Sequence, residues 1–143
     1  LCGTLKNVIA LAAGMLDGIN ASESTKAMFL TESINDTRKL IKKFGGNEKT
    51  IMSFAGFGDI LLTCTSKSSR NYTFGKMLGG GASKKELDEY LSQTTVEGVY
   101  TLKSIYGLIK QKRVKMPFIN FIYDVVFGYR KKEDIIPFLK EKE

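Results

Sequence analysis

The sequence predicts an all-α domain, on three observations. Apolar residues recur at three- and four-residue steps along almost the whole chain. No stretch alternates apolar and polar residues well enough for a strand, and no internal repeat or linker divides the chain. Glycine clusters, and starts led by Ser or Pro, punctuate the periodic runs at helical lengths. With 143 residues, 43% hydrophobic and 26% charged, the chain is long enough to bury a core, so residues 1–143 read as one domain. Disorder and small disulfide scaffolds are excluded on the same numbers.

The elements follow in order. Residues 5–19 are apolar nearly all round, the mark of a buried central helix, and Gly3, Gly14 and Gly18 would let another backbone approach it closely. A second helix over residues 23–44 carries Ala27, Leu30, Ile34, Ile41 and Phe44 on one side. Ser22 is its expected N-cap and Gly45-Gly46 its stop. Asn47 can cap a short helix to Phe54, and Ala55-Gly56-Phe57-Gly58-Asp59 reads as a turn before the apolar run 60–65. Residues 66–71 read as a polar loop and 72–78 as a short helix, closed by Gly79-Gly80-Gly81. Ser83 and Glu86 have the spacing of a capping box for a helix to about Ser92. Residues 97–112 form the next helix. Pro117 starts another through Phe127, where proline's missing N–H costs nothing. In the last segment, from Lys132, Pro137 is expected to start or kink a weaker helix. The total expected is seven or eight helices.

The absence of histidine removes Ser-His-Asp, Cys-His and every His-containing zinc site, so proton chemistry falls to Lys, Asp, Glu, Tyr or Cys. No metal site is expected. Cys2 and Cys64 make no CxxC pair, which fits a reducing compartment. The apolar run 8–16 is far shorter than the ~20 residues a bilayer requires, and it has no charged leader. A soluble, cytoplasmic protein is therefore expected. A chain that starts at Leu1 also reads as part of something longer. Net charge is +7, with basic clusters at residues 38–43, 110–115 and 130–132. They are either solvated helix faces or a means of attracting an anionic substrate or nucleic acid. No RNP run, GXXG loop or metal finger accompanies them.

Three features could carry chemistry. Lys6 and Asn7 lie near the head of an otherwise apolar helix; Lys6 is either a snorkelling side chain or an ammonium set to exchange a proton. Asp59 follows a Gly-x-Gly turn and precedes apolar sequence, so it is an N-cap or the partner of a cation such as Lys6. Ser66-Lys67-Ser68-Ser69-Arg70-Asn71 is either a solvent loop or a phosphate cradle, with Arg as the fork and hydroxyls and N–H groups around it.

Together these residues resemble a known family. Cys2-Gly3-Thr4-Leu5-Lys6-Asn7-Val8-Ile9-Ala10 is similar to the opening of the C-terminal domain of NAD(P)-dependent sn-glycerol-3-phosphate dehydrogenases. Thr25-Lys26-Ala27, Ala55-Gly56-Phe57-Gly58-Asp59-Ile60, Thr63-Cys64-Thr65-Ser66, Ser69-Arg70-Asn71, Phe74-Gly75, Glu97-Gly98-Val99-Tyr100-Thr101 and Met116-Pro117 follow in family order and at family spacing. The resemblance covers essentially the whole chain and is closest to the bacterial-type enzymes. It implies the helical substrate domain seen in enzymes like 6-phosphogluconate dehydrogenase. It also implies reduction of dihydroxyacetone phosphate to sn-glycerol 3-phosphate, with NAD or NADP as cofactor, for phospholipid synthesis. Lys6 matches the catalytic lysine. Asn7, Asp59 and Thr63 match the substrate site, and Ser69, Arg70 and Asn71 the surroundings of its phosphate. Arg70, Thr95 and Glu97 match positions that touch the dinucleotide. The implied partners are the chain's own N-terminal Rossmann domain and a homodimer mate, with no nucleic acid and no membrane span.

Two departures stand out. Ser22-Glu23-Ser24 replaces the usual Gly-Asp-Asn before Thr-Lys, and no strand–GxGxxG–helix unit is present, Gly79-Gly80-Gly81 following no strand. The 143 residues alone are therefore expected to be inactive. A reading of another class is a free-standing basic helical module that binds nucleic acid or acidic partners without catalysis, recognisable by a steep salt dependence.

Overall fold

A computed structural model describes residues 2–43 and 69–141, with side chains from residue 5 onward. Among the described residues there are seven α-helices and one 3-10 turn, and no strand. They are α1 (Cys2–Gly18), α2 (Glu23–Lys43), α3 (Arg70–Gly79), α4 (Lys84–Gln93), α5 (Glu97–Lys112), α6 (Pro117–Val126), the 3-10 turn Lys132–Asp134 and α7 (Ile135–Lys140). The all-α expectation holds. The expected Gly45-Gly46 stop, the 47–54 helix and the Gly56–Gly58 turn lie outside the described residues.

α1 is the hub. Leu5, Val8, Ile9, Leu11, Ala12, Met15 and Leu16 are all buried, which a helix achieves only with neighbours on every side. It packs most extensively on α3, and also on α5 and α2. α1 and α3 run in the same direction, Asn7 meeting Asn71 near one end and Gly18 meeting Gly79 and Gly80 at the other. Between these ends the two backbones touch. A Cβ on Gly14 would overlap the Tyr72 carbonyl, and one on Gly75 would overlap that of Leu11. The expected close approach at Gly14 and Gly18 is thus met by matching glycines on α3, and neither helix tolerates a side chain there.

The rest of the core is aromatic and aliphatic. Phe118, Phe121 and Ile122 of α6 pack with Phe29, Leu40 and Ile41 of α2, with Leu102, Ile105 and Ile109 of α5 and with Leu139 of α7. Each such side chain, fully buried, contributes about 1.5–3 kcal/mol. Phe29 and Phe118 tilt against each other with ring centres 5.2 Å apart.

Local signals placed most boundaries. Ser22 caps α2, its Oγ accepting the Thr25 N–H at 3.2 Å, so the departure at Ser22-Glu23-Ser24 keeps a working cap. Ser83 and Glu86 make both bonds of the capping box. Two expectations need correcting. Arg70 and Asn71 are the first residues of α3 rather than the end of a loop, because Ser69 is the cap and accepts the Tyr72 N–H at 3.3 Å. Pro137 neither starts nor kinks α7; it is the third residue, inside the first turn, where N–H groups have no helical acceptor to lose.

Candidate active site

The starts of α3 and α5 converge on the first two turns of α1. Both starts need hydrogen-bond acceptors, since the leading N–H groups of a helix have none within it. α3 is capped by its own Ser69. α5 begins after Val96, which is fully buried and supplies no side-chain cap. Its acceptor comes from α3 instead, the Gly98 N–H donating to Asn71 Oδ1 at 2.7 Å.

That bond orients a chain of amides. With its oxygen committed to Gly98, Asn71 turns Nδ2 toward Asn7 and donates to Asn7 Oδ1 at 3.2 Å. Asn7 then directs its own Nδ2 at Glu97 Oε2, 3.3 Å away. Gly98 makes room for the arrangement: a Cβ there would lie 2.8 Å from the Asn7 carbonyl oxygen and 2.9 Å from Asn71 Oδ1.

The network gathers distant parts of the sequence at one corner. Lys6 and Arg70 each stand one residue from the Asn7–Asn71 bond, and Thr95 lies two residues before Glu97. Lys6 is half-buried, whereas Arg70, Thr95 and Glu97 are exposed. Ser69 accepts from the Tyr72 N–H, and the hydrogen of its hydroxyl can still be given to a ligand. Asp59, the expected partner of Lys6, and Thr63, the further expected substrate contact, lie outside the described residues. Sequence reasoning assigned no role to the Gly98 N–H. The signal that could have found it is a helix start, Glu97-Gly98, preceded by valine where a capping side chain belongs.

Further along the α1–α3 seam, the Tyr72 hydroxyl donates to Asp17 Oδ2, and Asp17 Oδ1 pairs with Lys26 of α2 at 2.7 Å. Burial, then the bond to Asp17, raises the Tyr72 phenol to about 12. The Asp17 bond raises the Lys26 ammonium as well. Two of the three basic clusters have members resting on the chain's own rings: Lys110 is 4.7 Å from the Tyr106 ring centre and Arg130 is 4.5 Å from that of Phe121. Among the described residues, no group of three or more His, Cys, Asp or Glu could hold a metal, and no helix is long and apolar enough to cross a membrane.

The family described as NAD-dependent glycerol-3-phosphate dehydrogenase C-terminus matches residues 1–137. The chain belongs to this family. It is 39% identical over 145 residues to "Glycerol-3-phosphate dehydrogenase [NAD(P)+]" of Staphylococcus aureus (strain USA300), aligning along 100% of its own length and 43% of that protein. It is 40% identical over 136 residues to the protein of the same name from Bacillus cytotoxicus, covering 95% of this chain and 40% of that one. The crystal structure of glycerol-3-phosphate dehydrogenase from Coxiella burnetii superposes with a TM-score of 0.88 at 31% identity, over 98% of this chain and 43% of that one. The Plasmodium falciparum glycerol-3-phosphate dehydrogenase structure gives 0.75 at 26% identity, over 95% and 40%. The chain thus spans less than half the length of the relatives it matches.

The donor set suits the dinucleotide that the family name implies. A pyrophosphate needs cationic and N–H donors, and ribose or carboxamide groups need acceptors. Arg70 offers a guanidinium fork at the start of α3, Glu97 a carboxylate at the start of α5 and Thr95 a hydroxyl, all three exposed.

Proposed function

We propose that this chain is the substrate-binding and proton-donating part of an enzyme that interconverts dihydroxyacetone phosphate and sn-glycerol 3-phosphate. The observation that carries the reading is the hydrogen-bonded corner at which Lys6-Asn7, Ser69-Arg70-Asn71 and Glu97 come together. A ketone phosphate asks for just these groups: a fork for the phosphate at one end and a proton donor for the carbonyl at the other.

Arg70 and the start of α3 hold the phosphate, and that binding energy fixes the carbonyl against Lys6. As charge grows on the carbonyl oxygen, the Lys6 ammonium stabilises it and passes a proton to it; in the reverse direction its amine accepts the hydroxyl proton. Asn7 donates to the same oxygen, while Asp59 and Thr63 complete the substrate site. Arg70, Thr95 and Glu97 hold the dinucleotide from this side. The bound nicotinamide, NAD or NADP, supplies or takes up the hydride. The remaining parts of the reading are a Rossmann unit elsewhere in the polypeptide, a homodimer and a cytoplasmic setting, where the product feeds phospholipid synthesis.

The test is oxidation of NADH or NADPH by the full-length protein, with and without dihydroxyacetone phosphate. Turnover that depends on the ketone is expected, and Arg70→Ala should raise KM for the ketone at least ~10-fold through loss of a charge-assisted fork. Absence of ketone-dependent turnover with either nucleotide would overturn the reading.

A further inference from the structure

We infer that Tyr72 is a positioning residue: anchored by its hydroxyl to Asp17, it sets how far along α1 the start of α3 stands, and so the distance from the phosphate groups on α3 to Lys6 on α1. The inference rests on the proposed dehydrogenase reading. It leaves the phosphate with Ser69, Arg70 and Asn71 and concerns what holds that site in place.

In that reading the two ends of a short substrate are bound by different helices. The start of α3 takes the phosphate and Lys6 of α1 meets the carbonyl, so any slip of one helix along the other changes the span between them. The seam between these helices is built from glycine. Gly14 of α1 lies against the Tyr72 carbonyl, Gly75 of α3 against that of Leu11, and Gly79 against that of Met15. Glycines let the backbones touch but bring no side chain to interlock or to hydrogen-bond. The Asn7–Asn71 bond ties the heads of the two helices, and a single tie leaves α3 free to pivot. Tyr72 supplies a second tie. It is 4% exposed and directly follows Arg70 and Asn71. Its carbonyl meets Gly14, and its ring runs along α1 until the hydroxyl donates to Asp17 Oδ2. One residue is thus held by α1 at two levels, about 4.5 Å apart along the helix axis.

Asp17 is itself fixed. Its Oδ1 pairs with the Lys26 ammonium at 2.7 Å, and Lys26 also reaches Glu23 at 3.6 Å. Lys26, which no step of the proposed reaction uses, keeps the Asp17 carboxylate charged. The phenol, pushed up to about 12 by burial and by Asp17, keeps its proton at neutral pH and remains a donor. The tie therefore joins α1, α2 and α3 behind the phosphate site. Loosening it shifts Ser69, Arg70 and Asn71 together, which affects the chemical step more than phosphate binding.

The test is Tyr72→Phe in the full-length enzyme, a change that removes the hydroxyl and keeps the buried ring. With dihydroxyacetone phosphate, kcat should fall at least ~5-fold, as for a carbonyl held slightly away from its proton donor. The inhibition constant of inorganic phosphate should stay within about threefold. Asp17→Ala should lower kcat by as much, and adding Tyr72→Phe to it should cost little more. Asp17→Asn keeps an acceptor for the hydroxyl and should retain most of the rate. Should Asp17→Ala fail to fold, Tyr72→Phe decides alone. A folded Tyr72→Phe enzyme with kcat within about twofold of the wild type would overturn the inference, because a tie that serves stability alone lowers the unfolding midpoint and leaves the rate. Additive effects of Tyr72→Phe and Asp17→Ala on kcat would overturn it too. So would a rise of about tenfold in the phosphate inhibition constant with kcat retained, which would put the hydroxyl in the phosphate site. A wild type without ketone-dependent turnover overturns the dehydrogenase reading and this inference with it, whereas an active wild type beside an equally active Tyr72→Phe overturns the inference alone.

Discussion

The starts of α5 and α6 pose the same physical problem and receive different answers. Each helix follows a fully buried apolar residue, Val96 or Met116, that supplies no side-chain cap. Each is capped from another helix. At α5 the acceptor is a neutral amide, Asn71 Oδ1, 2.7 Å from the Gly98 nitrogen. At α6 it is a buried carboxylate, Asp36 Oδ2 of α2, 3.1 Å from the Ile119 nitrogen. The amide passes its polarity on to Asn7 and Glu97, whereas Asp36 Oδ1 finds no hydrogen-bond partner among the described residues. Burial therefore pushes the Asp36 carboxyl up to about 6, against the opposing pull of the Ile119 N–H. The comparison teaches that the cap near the site is neutral and connected. The structural cap away from it is ionisable and half-satisfied.

Removing the neutral cap should have the larger effect. Asn71→Ala leaves the Gly98 N–H buried without an acceptor, at a cost of about 2 kcal/mol in urea unfolding, and the loss should be the same at pH 5 and pH 7. A loss that varies with pH would break the contrast. Asp36 should show the opposite behaviour, with a smaller effect. Its folded pKa lies above its unfolded value of 3.8, so the folded state binds the proton more tightly. Its contribution is complete below the unfolded value and is lost as pH rises through about 6. Lowering the pH from 7 to 5 should gain about 1 kcal/mol through this group, and Asp36→Asn should remove that gain while keeping the cap. Parallel profiles for wild type and Asp36→Asn would show that Asp36 does not titrate in this range.

The same contrast marks what the sequence could disclose. Caps built from neighbouring residues were legible at Ser22 and at the Ser83–Glu86 box, whereas the Ser69 cap was hidden in a stretch read as a loop. Helix periodicity placed the start of α2 and both ends of α5 where they are observed, and the glycines of α1 correctly announced a touching backbone. Caps supplied from a distant helix were not legible, because Asn71 with Gly98 and Asp36 with Ile119 have no spacing that a local pattern can detect. The site shows the same division. Lys6, Asn7, Arg70 and Glu97 could be named from residue chemistry and family resemblance. The order of hydrogen bonds among them depends on how α1, α3 and α5 cross, which only packing decides.

The central claim is that Lys6 exchanges the proton at this corner. The direct measurement is single-turnover reduction of dihydroxyacetone phosphate by the full-length enzyme carrying Lys6→Ala, with circular dichroism to confirm the fold. The account predicts a chemical step slowed at least ~100-fold with phosphate binding retained. A rate near that of the wild type would contradict it.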